Sequence, residues 1–114
     1  MLFIGCNKES KHSGMIGIYS GVFTYSSSLE KYTPIVITEA TNNYLVINEG
    51  VIYLDGKKID GKIKDLYFAP DKITIIGEWK RKGKKYSFSG TFSEITYYLG
   101  IPQTSHGTFE IVPK

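Results

Sequence analysis

Cysteine occurs once in this chain, and alanine and histidine twice each. The lone Cys6 excludes an internal disulfide and a multi-thiolate zinc site. Alanine, the strongest helix former, stands only at Ala40 and Ala69, so a helix-rich fold has little support. The histidines are His12 and His106. A Ser-His-acid device would need His106 with Ser105, Ser87 or Ser89 and a distant carboxylate, and no nucleophile elbow surrounds those serines. Catalytic residues are therefore not assigned, and the chain is not expected to be an enzyme. Asp55 and Asp60 each precede a glycine, which is turn chemistry; the denser Asp/Asn spacing of a calcium loop is absent. Nor does a glycine-rich loop open a helix to hold phosphate. Neither a metal nor a cofactor is expected. The net charge of +3 is mild, and a nucleic-acid partner is not expected.

Aromatics, β-branched residues and turn formers are plentiful. Nine Tyr and six Phe, with abundant Ile, Val and Thr, favour strands, and twelve Gly against four Pro suit many tight turns. The clearest pattern runs from Lys72 to Glu94. Two stretches of period-2 alternation flank the basic segment Lys80-Arg81-Lys82-Gly83-Lys84-Lys85. This is a β-hairpin signature. A turn at Lys82-Gly83 sets Trp79 opposite Tyr86, Gly77 opposite Phe88, Ile75 opposite Gly90 and Ile73 opposite Phe92, all on one side.

Along the rest of the chain, Met15 to Tyr25 reads as a strand with Tyr19 and Phe23 on one face. Ser26 to Lys31 reads as a polar loop. Strands are expected at Thr33 to Thr41, Tyr44 to Ile47 and Val51 to Leu54. Of the pairs Asp55-Gly56 and Asp60-Gly61, one closes a hairpin and the other marks a bulge or corner. Lys57 to Ile59 and Lys62 to Phe68 read as further strands. Ile95 to Ser105 reads as a loop or short helical turn, and Gly107 to Val112 as the closing strand. One domain with about eight short strands follows. The fold class is all-β, a small antiparallel up-and-down β-barrel, with a two-sheet β-sandwich as the alternative.

Ile16-Gly17-Ile18-Tyr19-Ser20-Gly21 resembles the first-strand pattern of calycin-like, lipocalin-like barrels. Gly-Thr-Phe at Gly90-Thr91-Phe92 and Gly107-Thr108-Phe109 adds to the resemblance, which spans about Met15 to Val112. It implies a barrel and a bacterial cell-envelope location. It carries no substrate, since such folds host many functions. The chain is shorter than true lipocalins and lacks their opening Gly-x-Trp.

Ile4-Gly5-Cys6, followed at once by polar residues, resembles the lipobox of bacterial lipoproteins. That resemblance implies lipidation at Cys6, a membrane anchor and a flexible tether, with residues 1–14 distinct from a barrel domain at 15–114. The apolar run before Cys6 is too short for a signal segment, so the anchor requires a longer precursor. In the alternative, residues 1–4 are a first strand, Cys6 is a small buried residue and the protein is cytoplasmic.

Two groups of side chains could bind something. Tyr19, Phe23, Trp79 and Tyr86, with Phe88, Phe92 and Phe109, could line a pocket for a small apolar ligand or fill the barrel solidly. Lys80, Arg81, Lys82, Lys84 and Lys85, with Tyr97 and Tyr98, offer a surface for a protein partner. The basic cluster suits phosphate, acidic glycan or anionic headgroups, or serves as a solubilising hairpin tip. The expected function is a non-enzymatic envelope barrel that binds a small apolar ligand or a protein. The alternative is a soluble intracellular protein-binding or inhibitor module acting through the basic tip.

Overall fold

A computed structural model describes residues 11–68 and 72–114. Eight strands follow in order: β1 (Gly17–Tyr25), β2 (Glu30–Ala40), β3 (Tyr44–Ile47), β4 (Gly50–Asp55), β5 (Lys58–Ile63), β6 (Ile73–Lys82), β7 (Lys85–Tyr98) and β8 (Ile101–Pro113). Each pairs antiparallel with its neighbour, and β1 pairs with β8 to close a barrel. Closure leaves no free edge around the wall, whereas the two sheets of a sandwich would keep theirs.

Alternation along each strand determines what lies inside. On β1, Tyr19, Gly21 and Phe23 face inward; on β2, Thr33, Ile35 and Ile37; on β7, Tyr86, Phe88 and Phe92. Met15, Ala40, Leu45, Ile47, Ile52, Ile59, Ile63, Ile73, Ile75, Phe109 and Ile111 complete a single core. Inside, Phe23 packs edge-on to Phe92 at 5.1 Å and stacks on Phe109 at 5.9 Å, while Tyr19 meets Phe88 edge-on at 5.7 Å. Edge-to-face and offset contacts of this kind suit the ring quadrupoles and fill space densely.

The β6–β7 hairpin forms, with its register two residues from the expected one. Trp79 lies opposite Phe88, Gly77 opposite Gly90, Ile75 opposite Phe92, and Arg81 opposite Tyr86. The turn is Gly83-Lys84, closed by Lys82 opposite Lys85. Gly83 has φ +66°, so the glycine takes the first central position, as in a type II′ turn. A slip of two preserves which side faces inward, so the expected inner face survives while every cross-strand partner changes.

Gly77 against Gly90 brings the two backbones together. A Cβ on Gly77 would stand 2.0 Å from the Ser89 carbonyl oxygen, and one on Gly90 2.1 Å from that of Ile76. Only two glycines fit there, and they replace the expected pairing of large residues with small ones.

Three further expectations are corrected. Ile95 to Ser105 is not a loop: it forms the distal parts of β7 and β8, turning at Leu99-Gly100, whose φ values are +53° and +81°. A leucine in that left-handed conformation gives no sequence warning of a turn. Lys57–Ile59 and Lys62–Phe68 are not separate strands. Gly61 lies within β5 with its α-carbon close against Val51 and Ile52, and the chain leaves the sheet after Ile63. Asp55-Gly56 leads into the real β4–β5 turn, with Gly56 at φ +62°. Finally, β2 begins at Glu30, so the expected loop to Lys31 stops short.

Candidate functional site

The barrel has two unlike ends. At one, here the plug end, residues Ser13–Met15 form a 3-10 turn across the mouth. Met15 is fully buried, and the Tyr19 hydroxyl donates to its carbonyl at 2.8 Å. His12 is buried and stands edge-on to Trp79 at 5.5 Å; Trp79 in turn meets Tyr86 at 5.6 Å. Burial, and next the nearby Tyr86, push the Tyr19 hydroxyl up to about 12. Residues 7–14 were expected to be a tether. Lys11 to Gly14 lie against the barrel mouth, while residues 1–10, with Cys6, fall outside the described residues.

The same end gathers basic side chains. The tip residues Arg81, Lys82, Lys84 and Lys85 stand beside the β4–β5 turn. Trp79 ties the two turns together: its backbone N–H donates to the Lys57 carbonyl at 2.8 Å and its indole N–H to the Gly56 carbonyl at 3.0 Å. Lys57 Nζ lies 5.5 Å from the Trp79 ring and the Arg81 guanidinium 5.5 Å from the Tyr86 ring. These four residues, with Lys11, His12, Asn42 and Gly56, line a cleft of about 410 Å³.

At the opposite end, β7 and β8 run on past the barrel. β7 last pairs with β6 at Ser93, and β8 first pairs with β1 at Gly107. Among the described residues, Glu94 to Ser105 of the two strands pair only with each other and form a projecting arm. On it Ile95, Tyr97, Tyr98, Leu99 and Ile101 are exposed, Leu99 to 85%. Leu29, Leu66, Tyr67 and Phe68, in the loops of the same end, are exposed as well.

A buried polar network roots this arm. Lys31 Nζ lies 3.1 Å from Asp65 Oδ2 and 3.4 Å from Glu94 Oε2. The Tyr25 hydroxyl donates to Glu94 Oε1. Asp65 Oδ1 accepts from the Thr33 hydroxyl at 2.7 Å and from the Tyr67 N–H at 2.9 Å. Asp65 Oδ2 has the ammonium beside it but off the line of a hydrogen bond, so that contact is an ion pair only. Burial acts to raise the Asp65 carboxyl, yet the bonds from Thr33 and Tyr67, together with Lys31, hold it below the usual carboxylate range. Burial likewise acts to lower the Lys31 ammonium, and Tyr25, Asp65 and Glu94 outweigh it and raise it. Nearby, Asn48 accepts from the Val36 N–H at 2.8 Å and donates to the carbonyls of Pro34 at 2.8 Å and Lys64 at 2.9 Å, pinning the loop after β5 to β2.

Among the expected site residues, Tyr19, Phe23, Tyr86, Phe88, Phe92 and Phe109 are buried in the core, and Trp79 is partly buried at the plug end. The basic tip and Tyr97-Tyr98 do not form one surface. They sit at opposite ends of β7, whose 14 residues span up to about 43 Å. A groove of about 560 Å³ lies on the outer wall, where Tyr53, Asp60, Ile76 and Glu78 flank the backbones of Gly77 and Gly90. Among the described residues no three His, Cys, Asp or Glu converge as metal ligands.

Tyr25, Lys31, Asp65 and Glu94 were not singled out from the sequence. A signal existed for three of them. Lys31 is in phase with inward Thr33 and Ile35, Glu94 with inward Phe92, and Tyr25 with inward Phe23. Charges in phase with a core face are buried, and buried charges have partners. No protein-family model, curated protein or solved structure matches this chain.

Proposed function

We propose that the chain is a non-enzymatic, lipid-anchored envelope barrel of calycin-like type that binds a partner protein through the arm. The partner supplies an extended, uncharged apolar strand. One observation carries this: the arm from Glu94 to Ser105 projects beyond the closed wall, its outer backbone edges outside any ladder among the described residues and large apolar side chains in water. No charge interrupts the sequence from Ile95 to Ser105. The β7 edge of the arm, without charge or proline from Ile95 on, is a template for strand addition, whereas Pro102 blunts that of β8. The five exposed arm side chains include two tyrosines, a residue type enriched at protein interfaces.

A small apolar ligand is the weaker occupant, because the aromatic set occupies the barrel interior. Anchoring at Cys6 rests on the Ile4-Gly5-Cys6 junction.

A photo-crosslinking residue in place of Tyr98, in the native host, tests the partner. A discrete adduct with another protein is expected, reconstituted from the purified pair and lost in a folded Tyr97→Ser/Leu99→Ser variant. Adducts only with a second copy of this chain, or equal crosslinking from Tyr53 on the wall, would overturn the reading. Palmitate labelling of Cys6 in the full precursor tests the anchor separately.

A further inference from the structure

We propose that the plug end is a docking face for the anionic headgroups of a phospholipid bilayer, holding the barrel upright with the arm pointing away. The inference deepens the anchored-barrel reading but stands on residues other than Cys6.

The first ground is segregation of charge. Folding places Lys57 and Lys58 beside the hairpin tip, with Arg81, Lys82, Lys84 and Lys85. Lys114 ends up at the same end, its N–H donating to the Ile18 carbonyl at 3.1 Å, and Lys11 enters there. Carboxylates are sparse on this face. Glu39 accepts from the Tyr44 hydroxyl, and Asp55 and Glu78 lie opposite Lys58 on the adjoining strands. At the arm end, by contrast, Lys31 lies between Asp65 and Glu94, and Lys64 pairs with Glu49. Among the described residues, no tip lysine or arginine forms an ion pair.

The second ground is a like-charge contact that the fold tolerates. Lys82 stands directly opposite Lys85, with Lys84 in the turn between them. Like charges across a ladder destabilise it. A merely soluble tip would serve as well with mixed signs. An anionic surface converts that repulsion into attraction, because each basic residue at the surface adds to partitioning.

The third ground is what borders the charges. Trp79 is partly buried at the base of the tip, flanked by Lys57, and Arg81 covers Tyr86. An indole among cations matches the headgroup layer of a bilayer, where Trp concentrates, while the buried Tyr86 supports it from inside. The face is also where the chain arrives from its N-terminal residues. A single acyl chain binds membranes marginally, and a polybasic patch is the usual second signal.

The test uses the whole chain with Cys6→Ser, so that acylation plays no part. Sedimentation with phosphatidylglycerol-rich vesicles should show binding that weakens steeply with salt, and vesicles of phosphatidylcholine alone should not bind. Lys82→Glu/Lys84→Glu/Lys85→Glu should weaken binding about a hundredfold or more. A control of equal net charge at other positions, Lys62→Glu/Lys64→Glu/Lys72→Glu, should change it by less than about threefold. Circular dichroism checks that both variants fold, and Lys82→Gln/Lys84→Gln/Lys85→Gln gives a milder second reading of the same face. Equal binding to both vesicle types, or equal loss in tip and control variants, would overturn the proposal. Competition by millimolar inorganic phosphate at low salt would also overturn it, in favour of a discrete phosphate site. Failure of palmitate labelling would remove the anchor and leave this result standing.

Discussion

Lys31 Nζ lies 3.1 Å from Asp65 Oδ2, with the lysine side chain 19% exposed and the aspartate not at all. The two residues belong to β2 and to the loop after β5, so this pair joins parts of the chain far apart in sequence. Together with Glu94 it closes the arm end of the barrel over Phe23 and Phe92. A buried pair of this kind is tolerated because the carboxylate accepts hydrogen bonds from Thr33 and Tyr67 as well.

Asp65→Asn should destabilise the fold by about 2–4 kcal/mol at neutral pH, since it leaves Lys31 with Glu94 alone. The Asp65 carboxyl is held below its usual value in the folded state. Its stabilisation is therefore complete above the unfolded value near about 4 and is lost as pH falls through the folded value. Urea denaturation of both proteins from neutral to strongly acid pH checks this. Their stabilities should converge in acid; a variant as stable as the parent at neutral pH would contradict it.

Glu94→Gln should loosen the arm without opening the barrel. Glu94 carries both the Tyr25 hydroxyl bond and the second contact to Lys31. A loss of about 1–2 kcal/mol is expected at this root. Amide hydrogen exchange should accelerate about tenfold in residues 95–104 and remain unchanged in β3–β5.

At the plug end, Met15→Ala should cost about 2–4 kcal/mol, because Met15 is fully buried. Tyr19 makes a separate prediction at high pH. Its hydroxyl is raised to about 12 by burial and then by Tyr86. The stabilisation this gives is complete below about 10 and is lost as pH rises through about 12. Tyr19→Phe, which also forfeits the bond to the Met15 carbonyl, should lower neutral-pH stability by about 1 kcal/mol and blunt the alkaline loss. Chemical denaturation across that pH range reads both effects.

Gly90→Ala should be far worse than Gly83→Ala. At Gly90 the added methyl meets backbone at 2.1 Å, so the two strands must part. A loss above about 3 kcal/mol, or no folded protein, is expected. Gly83 has open space around it and carries only its positive φ, which costs about 1 kcal/mol. Thermal melts of the two variants, at equal concentration, give the ranking.

The inner face of every strand in the hairpin from Ile73 to Glu94 was readable from alternation; the barrel was expected with a sandwich as the alternative, and the pairing of β1 with β8 decides between them. The register was not readable. A two-residue slip leaves Trp79, Phe88 and Phe92 on the same side, so hydrophobic pattern is blind to it, and the turn at Gly83-Lys84 decides instead. The arm was misread for a related reason. Its turn residues are Leu99-Gly100, and its strands carry apolar side chains on both faces. Without a buried side, there is no period to find.

The polar network was legible only in halves. Lys31 and Glu94 each fall in phase with core residues on their own strands, which marks them as inward. That they would meet could not be read, because Tyr25 and Glu94 are 69 positions apart and Thr33 and Asp65 are 32.

Composition and period-2 alternation by themselves determined that this chain makes a strand-rich shell with rings turned inward, because burial on a pleated ribbon depends only on odd and even positions. Tertiary closure alone decided the rest: it set the basic turns at one mouth and the apolar arm at the other. Those placements depend on how many residues each hairpin spends before turning, a quantity fixed by backbone contacts such as Gly77 against Gly90 and not by the polarity of any side chain.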